Sequence, residues 1–146
     1  MTRRIDDLPH AGGLLLCFGC HQLGACRLGI SAFASDGPHR YVAELRCGVE
    51  NTSGPNIAHG GWVASVLDEV VGLACVEELG LLAVTTRLDL RFRRPTPTER
   101  LLRIEATVRE SSGNRVSAAG SLVLAETGEI LATVTGEWAV RPGRRA

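Results

Sequence analysis

The chain contains no lysine. All 16 of its basic residues are arginine, which excludes lysine chemistry such as a Schiff base. Formal net charge is zero, so there is no overall pull toward nucleic acid or an anionic membrane. No apolar run approaches the ~20 residues that a membrane span needs. Aromatic residues make up only 4% of the chain, and the sole methionine is Met1. The N-terminus carries Arg3, Arg4, Asp6, Asp7 and Pro9 before a short apolar patch at Leu14, Leu15 and Leu16. That is a poor secretory signal. A cytoplasmic protein with reduced thiols is expected, with no membrane or nucleic-acid partner.

What is present is one domain's worth of sequence: 146 residues, 45% hydrophobic and 22% charged. Residues 1–27 read as an irregular segment and residues 28–142 as a single domain. Residues 28–35 and 41–49 have strand character, separated by the turn signal Asp36-Gly37-Pro38. A loop over 50–58 leads to a long helix from about Gly61 to Glu78, with Gly80 as its stop. Four more strands follow at 83–94, 101–110, 115–125 and 129–140. In the first of these, Val84, Thr86, Leu88, Leu90 and Phe92 alternate with Thr85, Arg87, Asp89, Arg91 and Arg93. Period-two alternation marks a sheet with one buried face, and short connections imply antiparallel neighbours. The order β-β-α-β-β-β-β surrounds one helix that is apolar nearly all round. Such a helix must be wrapped, and an antiparallel sheet of five to six strands can curl around it. The fold class is therefore α+β.

The helix opens on Asn56-Ile57-Ala58-His59-Gly60-Gly61-Trp62 and carries Asp68 and Glu69 as its only charges between Trp62 and Val76. Burying an unpartnered carboxylate is costly, so such a residue usually has a task. The two acids point about 100° apart around the helix, so only one can face a given site. His-Gly-Gly at the start of an apolar helix, an acid nine residues after the histidine, and the later run Ala83-Val84-Thr85-Thr86-Arg87-Leu88-Asp89-Leu90-Arg91-Phe92-Arg93-Arg94-Pro95 resemble the hot-dog-fold acyl-CoA thioesterases. The resemblance is to their phenylacetate-type, PaaI-like branch.

That resemblance implies a hydrolase that splits an acyl-CoA into free acid and CoA, with no cofactor beyond the CoA of the substrate and no metal. It implies a homodimer, or a dimer of dimers, with the active site between subunits. The Gly60 amide becomes the oxyanion donor at a helix N-terminus. Asp68 becomes the general base on water, or the nucleophile. His59 orients the loop or the thioester, and its simpler reading is a helix cap. Relatives often carry Asn or Gln six residues before the histidine, where this chain has Ser53; Asn51 and Asn56 flank it, and Asn56 is the choice made from sequence. Thr85 matches a Ser/Thr that helps hold the water in some relatives, and its plainer reading is a β-branched strand residue. Gly61 and Trp62, with Val63, Val66 and Leu82, are candidates to line the acyl pocket. Arg91, Arg93 and Arg94, with Asn114 and Arg115, are candidates for the CoA phosphates, because a guanidinium fork suits phosphate.

Cys17-Phe18-Gly19-Cys20-His21 has the form of a c-type haem attachment site, but no export signal or methionine ligand accompanies it. A zinc set of Cys17, Cys20, His21 and Cys26 lacks the second spaced pair. The plainer expectation is a segment packed over the sheet. Cys47 and Cys75 fall at core positions as small hydrophobes. Two other functions fit the fold: a non-catalytic acyl-CoA or acyl-carrier binding module, and an enoyl-CoA hydratase.

Overall fold

The computed structural model describes Arg3–Arg4, Cys20 and residues 26–145. The strands are β1 (Arg3–Arg4), β2 (Ile30–Ser35), β3 (Arg40–Leu45), β4 (Thr52–Gly54), β5 (Ile57–Ala58), β6 (Leu81–Phe92), β7 (Leu102–Ser112), β8 (Arg115–Leu124) and β9 (Ile130–Arg145). The helix α1 spans Gly60–Leu79. The main sheet is antiparallel in the order β1-β2-β3-β7-β8-β9-β6. β4 and β5 form a small separate hairpin. Six long strands and one central helix match the expected hot-dog architecture. Two features were not expected. Arg3–Arg4, placed in an irregular segment from sequence, pairs with β2, and the loop over 50–58 contains the β4–β5 hairpin.

The sheet wraps α1 because both surfaces are apolar. Leu102, Ile104, Ala106 and Val108 of β7 face inward, as do Val116, Ala118 and Leu122 of β8 and Ala132, Val134 and Trp138 of β9; all are buried. Against them lie Val63, Val66, Leu67, Val70, Val71, Ala74 and Cys75 of α1. Trp138 is the largest fully buried side chain. Two glycines make its space. A Cβ on Gly72 would lie 3.0 Å from its indole nitrogen; one on Gly136 would lie 2.7 Å from its ring and 2.8 Å from the Arg87 carbonyl oxygen. The helix ends where expected, at Gly80, whose φ of 64° suits a residue without a side chain.

α1 is not enclosed all round. Gly61 and Ser65 are exposed and Asp68, Glu69 and Gly72 are half-buried. This stripe borders β6, the edge strand, which pairs among the described residues with β9 alone.

β6 departs from the simple alternation read from sequence. Its pairing with β9 slips between Thr85 and Arg87: Thr85 lies opposite Trp138, and Arg87 lies opposite Glu137. Thr86 is the extra residue of a β-bulge, and a bulge changes which residues face the core. Leu81 and Ala83 pack on the core before it, Leu88 and Leu90 after it. Val84, assigned to the buried face by uniform alternation, is instead 47% exposed. Phe92, also expected inside, is 58% exposed, because it stands past the covered part of the sheet edge.

At the other end of α1, Glu78 ties the helix to β3. Tyr41 Oη donates to Glu78 Oε2 at 2.6 Å and His39 Nδ1 lies 2.5 Å from Oε1. The Tyr41 hydroxyl chiefly holds the Glu78 carboxyl below its ordinary range; partial burial opposes this and His39 adds to it. A carboxyl depressed in the folded state stabilises the fold above its unfolded value, near 4.5, and loses that contribution as pH falls through the lower folded value. In urea denaturation at a series of pH values, the stability advantage of wild type over Tyr41→Phe should be full at neutral pH and shrink in acid below that range. Gly136→Ala should cost about 1–3 kcal/mol in the same assay, because neither the Arg87 carbonyl nor the Trp138 ring can move aside freely.

Candidate active site

α1 begins at the mouth of the fold with His59 as its N-cap. His59 Nδ1 accepts the Gly61 N–H at 2.8 Å, so the ring proton of neutral His59 sits on Nε2. The amides of Trp62 and Val63 turn back onto the His59 carbonyl at 3.0 and 3.2 Å. The first turn of a helix has amides without intrahelical partners, and here the Gly60 amide stands at its exposed head, where glycine allows a ligand close approach. The histidine thus serves as a cap, the simpler of its two expected roles.

Two turns along, Thr85 Oγ1 donates to Asp68 Oδ1 at 2.7 Å. The structure therefore brings together the acid and the strand hydroxyl that the sequence had only suggested. Thr85 reaches the helix because of the bulge at Thr86; uniform alternation would have put it on the outer face beside Arg87. One oxygen of Asp68 is held by Thr85 on a half-exposed stripe of the helix. Gly60 and Asp68 are separated by eight residues of helix, about 12 Å. Within one chain, about two turns of helix therefore lie between the amide and the acid.

A depression of about 310 Å³ lies beside the helix start, lined by Ile57, Gly60, Val63, Phe92, Arg93 and Arg94 among others. The Phe92 ring is 3.8 Å from where a Gly60 Cβ would be. Of the residues expected to line a pocket, Val63 does. Trp62 is turned away: it is 5% exposed, and its indole N–H donates to the Leu28 carbonyl at 3.2 Å. Val66 is fully buried in the core. Ile57 and Phe92 were missed as lining residues; a lone apolar residue in a loop or at a strand end carries no periodic signal.

The phosphate candidates separate into two groups. Arg93 and Arg94 border the depression at the helix start, and Arg94 lies 3.6 Å from Glu129. Arg91, on the outer face, lies 4.0 Å from Asp89. Asn114 and Arg115 sit at the β7–β8 turn, and Arg115 Nη1 donates to Thr86 Oγ1 at 3.3 Å. Arg115 is in register with Ala139, which pairs with Val84, so it stands at the opposite end of β6 from Arg93.

Asn56 occupies the tip of the β4–β5 hairpin with φ of 59°, and its carbonyl accepts the Thr98 N–H at 3.1 Å. Ser53 is exposed on β4. Asn51 is tied directly to the helix start, its carbonyl accepting the His59 N–H at 2.7 Å. Cys47 lies just past β3 rather than on it; both it and Cys75 are fully buried. Burial pushes their thiols up, to about 11 and about 12, the reverse of what a nucleophile needs. Cys17 and His21 lie outside the described residues; Cys20 is buried, and its Sγ accepts the Arg27 N–H at 3.4 Å.

The thioesterase superfamily model matches residues 55–131, more than half of the chain. The chain belongs to the thioesterase superfamily. The match begins just before the capping histidine and runs through α1 and β6 to the start of β9. No curated protein matches. Among solved structures, the chain is similar to a thioesterase superfamily protein at 24% identity, covering 75% of this chain and 53% of that one, TM-score 0.68. It thus spans about half the length of that relative. It is similar to the E. coli PaaI protein from the phenylacetic acid degradation operon at 22% identity, covering 76% and 79%, TM-score 0.69. A hypothetical thioesterase from Streptococcus pneumoniae, solved with coenzyme A, is 19% identical, with 78% and 91% covered and a TM-score of 0.68. These likenesses establish the hot-dog fold. Among the described residues, no helix is long and apolar enough to cross a membrane, and no cluster of three metal-ligating side chains occurs.

The cap is open to a direct test in this superfamily member. His59→Ala should lower unfolding free energy by about 1 kcal/mol, while His59→Asn, which keeps an acceptor, should stay close to wild type in urea denaturation.

Proposed function

We propose that the protein is an acyl-CoA thioesterase of the PaaI-like type. Its active site is shared between two subunits. The observation that carries this reading is the 2.7 Å bond from Thr85 to Asp68 on the open stripe of a helix whose head presents the Gly60 amide. The amide receives the oxygen of the thioester carbonyl, where negative charge develops. Asp68, its Oδ1 engaged by Thr85, accepts a proton from water through Oδ2, and the water attacks the carbonyl carbon. Collapse of the tetrahedral intermediate breaks the C–S bond, and the proton held by Asp68 passes to the departing sulfur, releasing CoA as its thiol.

The 12 Å gap inside one chain argues for pairing. The outer edge of β6, a strand of twelve residues with no neighbour on that side among the described residues, is a template for another strand. Antiparallel pairing of β6 with its copy brings the Thr85 end of one strand toward the Phe92 end of the other. Each acid then meets the partner's helix head. The same pairing moves Asn114 and Arg115 toward the partner's helix start, reuniting the two groups of phosphate candidates. Asn51 takes the place of the loop amide in preference to Asn56, because the bond from its backbone carbonyl to the His59 N–H holds it beside the helix start. A soluble, cytoplasmic homodimer or dimer of dimers is the assembly this reading requires.

Thiol release across a panel of aryl and aliphatic acyl-CoAs tests the function. Wild type should turn over at least one, and Asp68→Asn should lower kcat by about 10²–10⁴-fold. Tight acyl-CoA binding without thiol release would replace the enzyme with a binding module. Gel filtration should show a dimer or larger; a fully active monomer would remove the shared site.

A further inference from the structure

We infer that Thr86 is a positioning residue, whose hydroxyl locks the β6 bulge that aims Thr85 at Asp68. The inference rests on the thioesterase reading for its kinetic consequence, and on the geometry alone for its structural one.

Thr86 is the residue without a partner across the slip between Thr85–Trp138 and Arg87–Glu137. A bulge interrupts the backbone ladder at the extra residue. Here the side chain supplies a substitute. Thr86 Oγ1 donates to the Glu137 carbonyl oxygen at 3.0 Å, and the same oxygen accepts from Arg115 Nη1 at 3.3 Å. One hydroxyl thereby joins three strands: β6 through its own backbone, β9 through Glu137, and β8 through Arg115.

The consequence falls on the neighbouring residue. Without the extra residue, strand parity would send Thr85 to the outer face with Arg87 and Asp89, away from α1. With it, Thr85 lies opposite Trp138, on the helix side, 2.7 Å from Asp68. Gly136 belongs to the same arrangement. It lies opposite Leu88, and a Cβ there would sit 2.8 Å from the Arg87 carbonyl oxygen; the backbone of β6 approaches β9 closely beside the bulge. Thr86 touches none of the reacting atoms, so its influence passes through Thr85. Arg115 gains a second role: support of the bulge from the β7–β8 turn.

The experiment compares Thr86→Val, which keeps shape but loses the hydroxyl, with Thr86→Ser, which keeps the hydroxyl. Thr86→Val should lower kcat about tenfold with KM within about twofold of wild type, the size of effect expected from loosening one hydrogen bond to a charged group. Thr86→Ser should restore kcat. In a Thr85→Val background the Thr86→Val change should have no further effect, since the route through Thr85 is already cut. Losses that multiply in the double variant, or a loss that appears in KM alone, would overturn the inference. If Thr86→Val does not fold, Arg115→Gln carries the test: a fall in kcat with KM near wild type supports the lock, and a rise in KM alone overturns it. If wild type releases no thiol from any acyl-CoA, the function fails separately, and a crystal structure of Thr86→Val decides the positioning. There the Thr85 hydroxyl should leave Asp68, and its persistence at hydrogen-bond distance would refute the lock.

Discussion

The burial of α1 constrains everything else in this protein. A twenty-residue helix this apolar has no stable state in water alone, so the sheet must curve around it. The space inside the curve is set by a few contacts. Trp138 fills it, and the absence of side chains at Gly72 and Gly136 lets the indole lie between helix and strand. Such close packing leaves little room for adjustment. The direction of α1, and with it the places of His59 at one end and Glu78 at the other, follows from that fit.

The wrap is incomplete, and Asp68 sits in the gap. Along the stripe of Gly61, Ser65, Asp68 and Gly72 the helix is left half open beside the edge strand. A carboxylate is tolerable there because it keeps access to water and accepts a bond from Thr85. The same stripe begins at the helix head, where the exposed Phe92 ring lies beside Gly60. The open edge of β6 and the open stripe of α1 adjoin, so one partner strand would cover both.

Much of the fold was legible in the sequence. The helix was placed to within a residue at either end, because Gly80 and the His-Gly-Gly start are strong punctuation. The four strands after it followed from alternation in which Ile104, Val108, Val116 and Val134 are inward and buried. Asp68 was legible because a charge in an apolar helix is conspicuous. Trp62 misled, since an indole beside a site motif looks like a pocket wall; in fact it is buried and reaches the Leu28 carbonyl. Asn56 follows Pro55, which explains a turn, and the backbone bond to the His59 N–H comes from Asn51, eight residues before the histidine.

The sequence by itself determined the architecture, the helix with its glycine head, and the acid two turns along, because these depend on periodicity and on residues whose chemistry is local. Only the tertiary structure decided that Thr85 faces the acid. A single extra residue in a strand reverses every side chain beyond it, and whether the chain bulges at Thr86 depends on its pairing with β9, on the Glu137 carbonyl and on Arg115 from the neighbouring turn. None of those contacts is local in sequence. Alternation therefore identified the strand, and pairing across the sheet chose which of its threonines meets the helix.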